Sequence, residues 1–282
     1  MDLVFSDIHA DINALRSIWK VVNFMSFKEN FGSIERIINL GDVLGRGNHP
    51  KEVIDMLKSI SKSYSLNSVI GNHDEAFLYQ RKISIDTEES VKAHSSLTVE
   101  DLSFFKKNND GMYGLQEIFD EKNKTIFVHG GPLDPKIIYD KNSQDDLWYY
   151  QKSWQRLTFK NSNFFTRAGF HYTSSSAFSH VKQKTDDFVI LCGHQHTEAA
   201  VKQDKNGIKE ILTGIKRDIV RNGDCVLEKI EIAIKEDTNY LIRVGLGGPQ
   251  GSHIHRDDIP HFAVISYNPK NIILFSIIKN SY

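Results

Sequence analysis

The sequence predicts an α/β fold, and three observations support this prediction. Short apolar runs that each end in a polar cluster alternate with segments whose apolar residues recur every three or four positions, as the strands and helices of a parallel sheet do. Near the C-terminus the pattern changes to alternating, β-branched segments typical of antiparallel strands. The chain has 282 residues, of which 40% are hydrophobic and 25% charged, and this is enough for one large α/β domain or two small ones.

The first part of the chain is predicted to contain strands joined by helices. The runs LVFSD (3–7), RIINLGD (36–42) and NSVIGNHD (67–74) are short and apolar up to their polar ends, which indicates buried strands. Residues 11–25 and 50–61 have helical spacing and begin with an aspartate and a proline, both suited to a helix start. This order predicts a parallel sheet, in which ligands gather at the carboxyl ends of the strands.

Two further strands and two insertions follow. The runs KTIFVHGG (124–131) and DFVILCGHQH (187–196) have the same form as the first strands. We expect a polar, helical insertion at about 84–121, and a second one at 132–186 whose aromatic-rich part, 145–180, is helix and loop. Aromatic residues in such a segment are typical of the core of a helical cap. The alternative is a surface on which a nucleobase stacks.

The C-terminal part is predicted to form antiparallel strands. The segments VLEKIEIAIK, NYLIRVGL and HFAVISYNPKNIILFSII have the required alternation or β-branched content, and Asn268-Pro269-Lys270-Asn271 is a typical hairpin turn. No repeat, low-complexity tract or composition break indicates a linker. We therefore expect one domain over residues 1–282 that carries the two insertions.

Composition argues against several classes of partner. The 35 Lys and Arg residues nearly balance the 36 Asp and Glu residues, so the overall charge indicates neither a nucleic acid nor an anionic membrane. The N-terminus MDLVFSD has no basic or long apolar segment, and no stretch reaches the roughly 18 apolar residues of a membrane span. We therefore expect a cytoplasmic protein. Its cysteines, Cys192 and Cys225, are too few for a disulfide framework.

Five polar clusters end the predicted strands. Each alone is weak evidence of function, because a Gly-Asp or His-x-His pair is also typical of a polar turn at the end of a strand. Their shared position is stronger evidence, since parallel strands bring such ends to one edge of a sheet. The clusters are Asp7-x-His9, Gly41-Asp42, Gly71-Asn72-His73-Asp74, His129-Gly130-Gly131 and Gly193-His194-Gln195-His196.

In this order the clusters resemble the motifs of the calcineurin-like metallophosphoesterases. The chain has DIH, GDVLGRG, GNHD, VHGG and GHQH, in the family's order, over residues 1 to about 200. The segment GDVLGRGNHPKEVIDML and, more loosely, GLGGPQGSHIHRDDIPHFAVIS resemble the compact bacterial and archaeal phosphodiesterase branch of the family. The resemblance implies a β-sandwich flanked by helices, with helical cap insertions.

The resemblance also implies a centre of two divalent transition-metal ions. Mixed carboxylate, amide and imidazole ligands suit manganese, iron, zinc or nickel better than magnesium or calcium, and we favour manganese. A hydroxide shared by both ions would attack phosphorus in line, and Asp42 would bridge the ions. The other ligands would be Asp7, His9 and His196 for one ion and Asn72, His129 and His194 for the other.

Several residues are predicted, by the same resemblance, to act on the substrate. Asp42 would be catalytic through the metals, and Asn72 would contact the substrate. His73 resembles the residue that contacts phosphate and protonates the leaving oxygen, which suits imidazole because it titrates near neutral pH. Arg46 resembles a phosphate-binding arginine whose guanidinium pairs with two oxygens; the alternative is an exposed arginine in a turn. Asp74 either orients His73 or caps the following helix.

Departures from the family pattern bear on the substrate. Protein phosphatases have an aspartate where this chain has Gly45 and an arginine where it has Ile70, so protein phosphatase activity is not expected. We predict hydrolysis of a phosphodiester or a small nucleotide. The alternative, which Arg46 favours, is a phosphomonoesterase or a dinucleoside-polyphosphate hydrolase. A catalytically silent interaction scaffold is less expected, because every ligand position is intact.

Overall fold

The computed structural model describes residues 1–81, 87–105, 113–140, 145–248 and 259–279. Two large β-sheets lie at its centre, one of seven strands and one of six, and a third sheet has three strands. The strands are β1 (Asp2–Phe5), β2 (Arg36–Asn39), β3 (Ser65–Ser68), β4 (Glu117–Asp120), β5 (Thr125–Val128), β6 (Arg156–Thr158), β7 (Phe164–Thr166), β8 (Gly169–Thr173), β9 (Val189–Cys192), β10 (Ala199–Asp204), β11 (Gly207–Glu210), β12 (Asp218–Asn222), β13 (Cys225–Ala233), β14 (Asn239–Arg243), β15 (His261–Tyr267) and β16 (Lys270–Lys279).

The helices connect the strands and cover the outside of the sheets. Helix α1 begins after Asp11, whose carboxylate accepts hydrogen bonds from the amides of Asn13 (2.9 Å) and Ala14 (3.0 Å), and α3 begins at Pro50, as predicted. Within the described part of the chain, no helix is both long and apolar enough to cross a membrane. The helices are α1 (Ile12–Asn23), α2 (Met25–Phe31), α3 (Pro50–Ile60), α4 (Asn72–Leu78), α5 (Glu88–Ser95), α6 (Val99–Leu102), α7 (Pro135–Ile138) and α8 (Ser174–Lys182).

The seven-stranded sheet has the order β12-β13-β16-β15-β1-β2-β3. Its strands β1, β2 and β3 are parallel, and its C-terminal strands are antiparallel, so both predictions are confirmed. The six-stranded sheet has the order β11-β10-β14-β9-β5-β4, with β5 and β9 parallel. The final hairpin turn is shorter than predicted, because Lys270 and Asn271 already pair with Tyr267 and Ser266.

Alternating side chains divide the apolar core into layers. In β1, Leu3 and Phe5 pack towards helices α1 to α3, whereas Val4 packs between the two large sheets. In β5, Phe127 lies in the same inter-sheet layer, whereas Ile126 faces α8 and the small third sheet. The chain is therefore a β-sandwich with helices outside, which confirms the predicted α/β fold class.

The second insertion differs from the prediction of helix and loop at 145–180. It contains a 3-10 turn at Leu147–Tyr150 and the small sheet, of order β6-β8-β7, before helix α8. The strands form because side chains alternate: Phe170 and Tyr172 are buried in the core, whereas His171 between them lies on the other face. Strands of three to five residues contain only one or two alternations of side chains between the two faces, and the high aromatic content of the segment concealed this pattern in the sequence.

The first insertion, 84–121, is helical as predicted in much of its described part. It contains α5 and α6, and it ends in the edge strand β4. Residues 82–86 and 106–112 lie outside the described residues. An ion pair between Lys51 Nζ and Asp101 Oδ1 (2.8 Å) joins α6 to α3, so this insertion lies against the helix that follows the GDVLGRG motif.

Candidate functional site

The side chains singled out as metal ligands converge where parallel strands end. Strands β1 and β2 of one sheet and β5 and β9 of the other each lead into a loop that carries one or two of them, and β3 leads to helix α4, whose first residue is Asn72. All are buried except His196, which is partly exposed, so they form an interior cluster at the edge of the sandwich. The residues brought together are Asp7, His9, Asp42, Asn72, His129, His194 and His196.

One part of this cluster consists of Asp7, His9 and His196. The Nε2 atoms of His9 and His196 are 3.1 Å apart. Asp7 Oδ1 lies 3.4 Å from His196 Nε2 and 3.8 Å from His9 Nε2. Three potential ligand atoms therefore surround one small volume, which is the arrangement that a bound cation requires.

The other part is centred on Asp42. Its Oδ2 atom lies 3.3 Å from His129 Nε2 and 3.7 Å from His9 Nε2, so one carboxylate reaches both parts of the cluster. Asn72 Oδ1 lies 3.2 Å from His129 Nε2. Three potential ligand atoms, one from each of Asp42, His129 and His194, lie within 4.8 Å of one another. The two parts thus adjoin, and Asp42 lies between them.

Backbone carbonyls orient two of the imidazoles. Nδ1 of His9 lies 3.1 Å from the carbonyl oxygen of Leu44, and Nδ1 of His129 lies 2.7 Å from that of Leu40. A carbonyl oxygen can only accept, so each Nδ1 carries a hydrogen, and Nε2 presents its lone pair to the cluster whenever the ring is neutral. This is how metal-binding histidines are held in proteins.

Three buried atoms at the centre of the cluster fit a metal ion. Asp7 Oδ1, Asp42 Oδ2 and His194 Nε2 have no hydrogen-bond partner among the described residues, and none of the three residues is more than 5% exposed. Buried polar atoms are costly unless a partner compensates them. Asp7 belongs to the first part of the cluster, and Asp42 and His194 belong to the second. All three atoms are lone-pair donors, so divalent cations are partners that suit them.

The charges of the cluster reinforce one another. Burial alone would raise the pKa of Asp42, but the imidazoles of His129 and His73 hold it well below its usual range. Burial likewise opposes the charge of His129, yet the carboxylates of Asp42 and Asp7 raise its pKa to about 9. The carboxylates therefore attract positive charge to the imidazole of His129, where a proton and a metal ion compete for the same nitrogen.

Left-handed backbone conformations are concentrated here. The φ angles of Asp7, His9, Asp42, His194 and His196 are 56°, 49°, 56°, 69° and 61°. Such angles are unfavourable for residues other than glycine, by about 1 kcal/mol or more each. The surrounding hydrogen bonds must hold them, and strain of this kind is typical of functional sites.

Asp74 supports the backbone around Asp42. Its carboxylate accepts hydrogen bonds from the amides of Asp42 (2.9 Å), Leu44 (2.9 Å) and Gly71 (3.0 Å). The bond to Gly71 closes the N-terminal end of α4, which favours the cap interpretation over an orienting contact to His73. Burial, followed by the charge of Asp42, raises the pKa of Asp74 to about 7.

His73 lies beside the cluster and against the GDVLGRG loop. Its amide donates to Asp42 Oδ1 (2.9 Å), and its ring centroid lies 4.8 Å from that of His9. A Cβ atom added at Gly45, where φ is +85°, would lie 2.4 Å from His73 Nδ1. The aspartate that protein phosphatases have at this position would not fit this backbone, in agreement with the sequence argument against that activity.

Arg46 follows Gly45 in the same loop and is half-buried. Burial lowers the pKa of His9, and the positive charge of Arg46 lowers it further. The guanidinium is therefore close enough to influence the cluster, and the interpretation of Arg46 as an exposed turn residue is not favoured.

Sequence reasoning missed Arg156, which begins β6. Burial lowers its pKa to about 10, and the carboxylates of Asp42 and Asp7 act in the opposite direction, so its charge lies within electrostatic range of the cluster. The side-chain amide of Gln195, between the two histidines of GHQH, bonds to the amide (2.7 Å) and carbonyl (3.1 Å) of Leu157. This contact fixes the strand of Arg156 beside the loop that carries His194 and His196. No sequence motif could have identified Arg156.

Two aromatic residues of the second insertion, Trp148 and Trp154, pack beside the cluster. Trp154 is 6% exposed, and its ring centroid lies 6.5 Å from that of His194 and 4.6 Å from that of Trp148. These contacts favour the interpretation as the core of a cap.

The segment GLGGPQGSHIHRDD extends into residues 249–258, which lie outside the described residues. Before this point, the amides of Gly247 and Gly248 donate hydrogen bonds to the carbonyl oxygens of Ser6 and Asp7.

Comparison with known proteins agrees with the geometry. The family model described as calcineurin-like phosphoesterase matches residues 3–214. A metallophosphoesterase from Sphaerobacter thermophilus is similar in structure, with a TM-score of 0.59 and 17% identity over 99% of this chain and 89% of that one. The hypothetical protein PH1004 of Pyrococcus horikoshii OT3 also has a TM-score of 0.59, with 13% identity over 100% of this chain and 89% of its own.

A curated relative is more similar in sequence. The uncharacterized protein MJ0912 of Methanocaldococcus jannaschii is 30% identical over 141 residues, which are 49% of this chain and 52% of that protein. The match therefore spans about half of the length of the relative. The structural similarities concern the fold, whereas the family model covers each of the five motifs that form the cluster. From these observations together, the chain belongs to the calcineurin-like phosphoesterase family.

Proposed function

We propose that the protein hydrolyses a phosphodiester or a small nucleotide with the help of two divalent metal ions. The observation that carries this proposal is the position of Asp42, whose Oδ2 atom lies 3.3 Å from His129 Nε2 and 3.7 Å from His9 Nε2. A single carboxylate between two groups of ligands is what a pair of adjacent ions requires. Two such ions supply a nucleophile at neutral pH and neutralise charge on the phosphate oxygens.

The donor set supports transition metals over magnesium or calcium. Each group has two imidazole nitrogens, and carboxylate or amide oxygens complete it. Manganese is the ion we favour, followed by iron, zinc or nickel. Asp42 would bind both ions, and the remaining ligands would be Asp7, His9 and His196 for one ion and Asn72, His129 and His194 for the other.

Other residues of the chain would act on the ester itself. His73 would contact the phosphate and donate a proton to the leaving oxygen, since an imidazole can carry that proton near neutral pH. Arg46 would pair with two phosphate oxygens through its planar guanidinium. Asn72 would contact the substrate from the metal side. These roles require that the three side chains lie beside the metal ligands. The ring centroid of His73 lies 4.8 Å from that of His9, which is compatible with this requirement.

Turnover of simple esters tests the proposal. With Mn²⁺, the purified protein is expected to hydrolyse bis-p-nitrophenyl phosphate faster than p-nitrophenyl phosphate, and a chelator is expected to stop both reactions. The release of p-nitrophenol at matched substrate concentrations gives the ratio of the two rates. If neither ester turns over with Mn²⁺, Fe²⁺, Ni²⁺ or Zn²⁺, the protein is not a hydrolase of this type.

A second test asks whether His194 and His196 serve different ions. Their side chains stand two residues apart, on separate parts of the cluster: His194 groups with Asp42 and His129, and His196 with Asp7. Replacing either histidine by alanine is expected to lower the metal content from two ions per chain to about one, because one ligand set loses an imidazole. Metal analysis after gel filtration measures this content. One ion per chain in the wild type that is lost in both variants, with the fold intact, would indicate a single shared ion.

A phosphomonoesterase or dinucleoside-polyphosphate hydrolase is the second candidate, and two arginines favour it. Arg46 and Arg156 both lie within electrostatic range of the cluster, and two guanidinium groups suit a substrate with more negative charge than a diester carries. For a phosphomonoesterase the ratio of the two rates would be reversed, with p-nitrophenyl phosphate the better substrate. The same measurement therefore decides between a phosphodiesterase and a phosphomonoesterase.

A further inference from the structure

Helix α5 of the first insertion contacts the loop that carries Arg46. The helix spans Glu88–Ser95, and its buried residues are Ser90 and His94. Neither belongs to a family motif, and the insertion lies outside the strands that carry the metal-ligand candidates. A contact between this helix and a substrate-binding loop would give the insertion a role in the reaction.

The first contact is a hydrogen bond from the loop backbone to His94. The amide of Gly45 donates to His94 Nε2 at 2.9 Å, in a buried position. His94 Nδ1 lies 2.7 Å from the carbonyl oxygen of Ser90. Because that carbonyl can only accept, Nδ1 carries the hydrogen and Nε2 is free to accept from Gly45. Both ring nitrogens are thus used, and the ring is fixed.

The second contact lies on the other side of Arg46. Ser90 Oγ donates to the carbonyl oxygen of Gly47 at 3.0 Å. The amide of Gly47 in turn donates to the carbonyl oxygen of His9 at 2.9 Å. The loop is therefore held between helix α5 and the turn that carries a metal-ligand candidate.

The loop needs such support because its backbone is unfavourable. The φ angle of Arg46 is +62°, in the left-handed region that residues other than glycine rarely occupy. A guanidinium binds phosphate well only if it is held in place before the substrate arrives. Without the acceptor at His94, the buried amide of Gly45 would lose its partner, and the loop would relax to regain one.

We propose that His94, supported by Ser90, is a positioning residue that holds the Arg46 loop in its phosphate-binding conformation. The inference rests on the proposed phosphoesterase function. His94 acts through the backbone of Gly45 and does not touch the substrate. Its effect should therefore appear in phosphate affinity and should depend on the presence of Arg46.

The test compares two replacements of His94 with an exposed control. His94→Phe keeps a ring against Phe77, whose centroid lies 5.6 Å away, but it removes the acceptor. His94→Gln keeps an acceptor at a similar distance from the backbone. Ser95→Ala changes the exposed face of the same helix, where Ser95 Oγ donates only locally to the carbonyl of Val91.

The measured quantities are the Kd of inorganic phosphate, by calorimetry on the Mn²⁺-loaded protein, and kcat and KM for the better p-nitrophenyl ester. His94→Phe is expected to raise Kd and KM about tenfold, with kcat changed by no more than about threefold. His94→Gln and Ser95→Ala are expected to stay within about threefold of the wild type. Equal losses in His94→Phe and His94→Gln would overturn the proposal.

A double variant separates positioning from a general loss of structure. In the Arg46→Ala background, His94→Phe is expected to change phosphate Kd by less than about twofold, because the group that it positions is absent. The same tenfold loss in both backgrounds would overturn the inference. Should His94→Phe unfold, Ser90→Ala removes the second contact with a smaller volume change and is expected to raise Kd about threefold in the wild-type background only.

The calorimetric readout keeps this inference distinct from the proposed function. A wild-type protein that binds phosphate but turns over no ester contradicts the proposed function. An active wild type whose phosphate affinity is unchanged by both His94→Phe and Ser90→Ala contradicts the positioning role alone.

Discussion

Replacing Asp42 by asparagine is expected to lower ester hydrolysis by about a thousandfold or more, because the amide is a weak ligand where a carboxylate would bridge two ions and metal ions contribute several kcal/mol to such reactions. The shape of the side chain is nearly unchanged. Oδ1 can still accept the hydrogen bond from the His73 amide, which is 2.9 Å long in the wild type. The loss is therefore expected without unfolding, and kcat measured under saturating Mn²⁺ reports it.

The thermal midpoint without metal provides a second readout for Asp42→Asn. We expect it to be below that of the wild type, because the carboxylate that pairs with the buried imidazole of His129 is removed. The increase that Mn²⁺ produces in the wild type is expected to be largely lost, since binding to the folded state is the source of that increase. Metal analysis should show fewer ions per chain.

A matched control lies four residues after Asp7. Asp11→Asn is the same chemical change at the N-cap of α1, where the wild-type carboxylate accepts from the amides of Asn13 and Ala14. Asparagine caps helices about as well as aspartate, so activity and metal content should be unchanged. If Asp42→Asn kept a tenth or more of the wild-type kcat, Asp42 would not be a bridging ligand.

The central part of the fold could be predicted because its strands are buried on both faces. Runs such as 36–42 and 187–196 are mainly apolar and end abruptly at polar residues, a pattern that few other elements produce. Parallel pairing then follows from the intervening helices, and the carboxyl ends must meet at one edge. This is why Asp7 and His194, far apart in sequence, could be placed together from the sequence.

The insertions could not be predicted in the same way. Strand β6 has three residues, and its position depends on a side-chain to backbone contact between Gln195 and Leu157. The docking of α5 depends on the amide of Gly45, which has no signature in the sequence. The approach of Arg156 and His94 to the site is a consequence of tertiary packing, so neither residue could be recognised before the structure was known.

Replacing His73 by glutamine is expected to lower kcat by about 10² to 10⁴, the range typical for loss of a general acid. Glutamine is similar in length and polar, but it cannot transfer a proton at neutral pH. The amide bond from residue 73 to Asp42 Oδ1 is made by the backbone and survives the change. A ring nitrogen of His73 lies within 4.8 Å of possible ligand atoms of His9 and Asp42. We nevertheless expect a folded protein whose metal content is unchanged, and this result would show that His73 is not a metal ligand.

The leaving group gives the sharper readout for His73. A poor leaving group such as phenoxide needs its proton more than p-nitrophenoxide does, so His73→Gln should slow phenyl phosphate esters more than p-nitrophenyl esters. The control is His49→Gln, because the side chain of His49 is 49% exposed and pairs with Glu52 (3.3 Å) at the start of α3. It should leave both rates unchanged. An equal loss for the two leaving groups would assign His73 to phosphate binding instead of proton transfer, and a lower metal content would assign it to the ligand set.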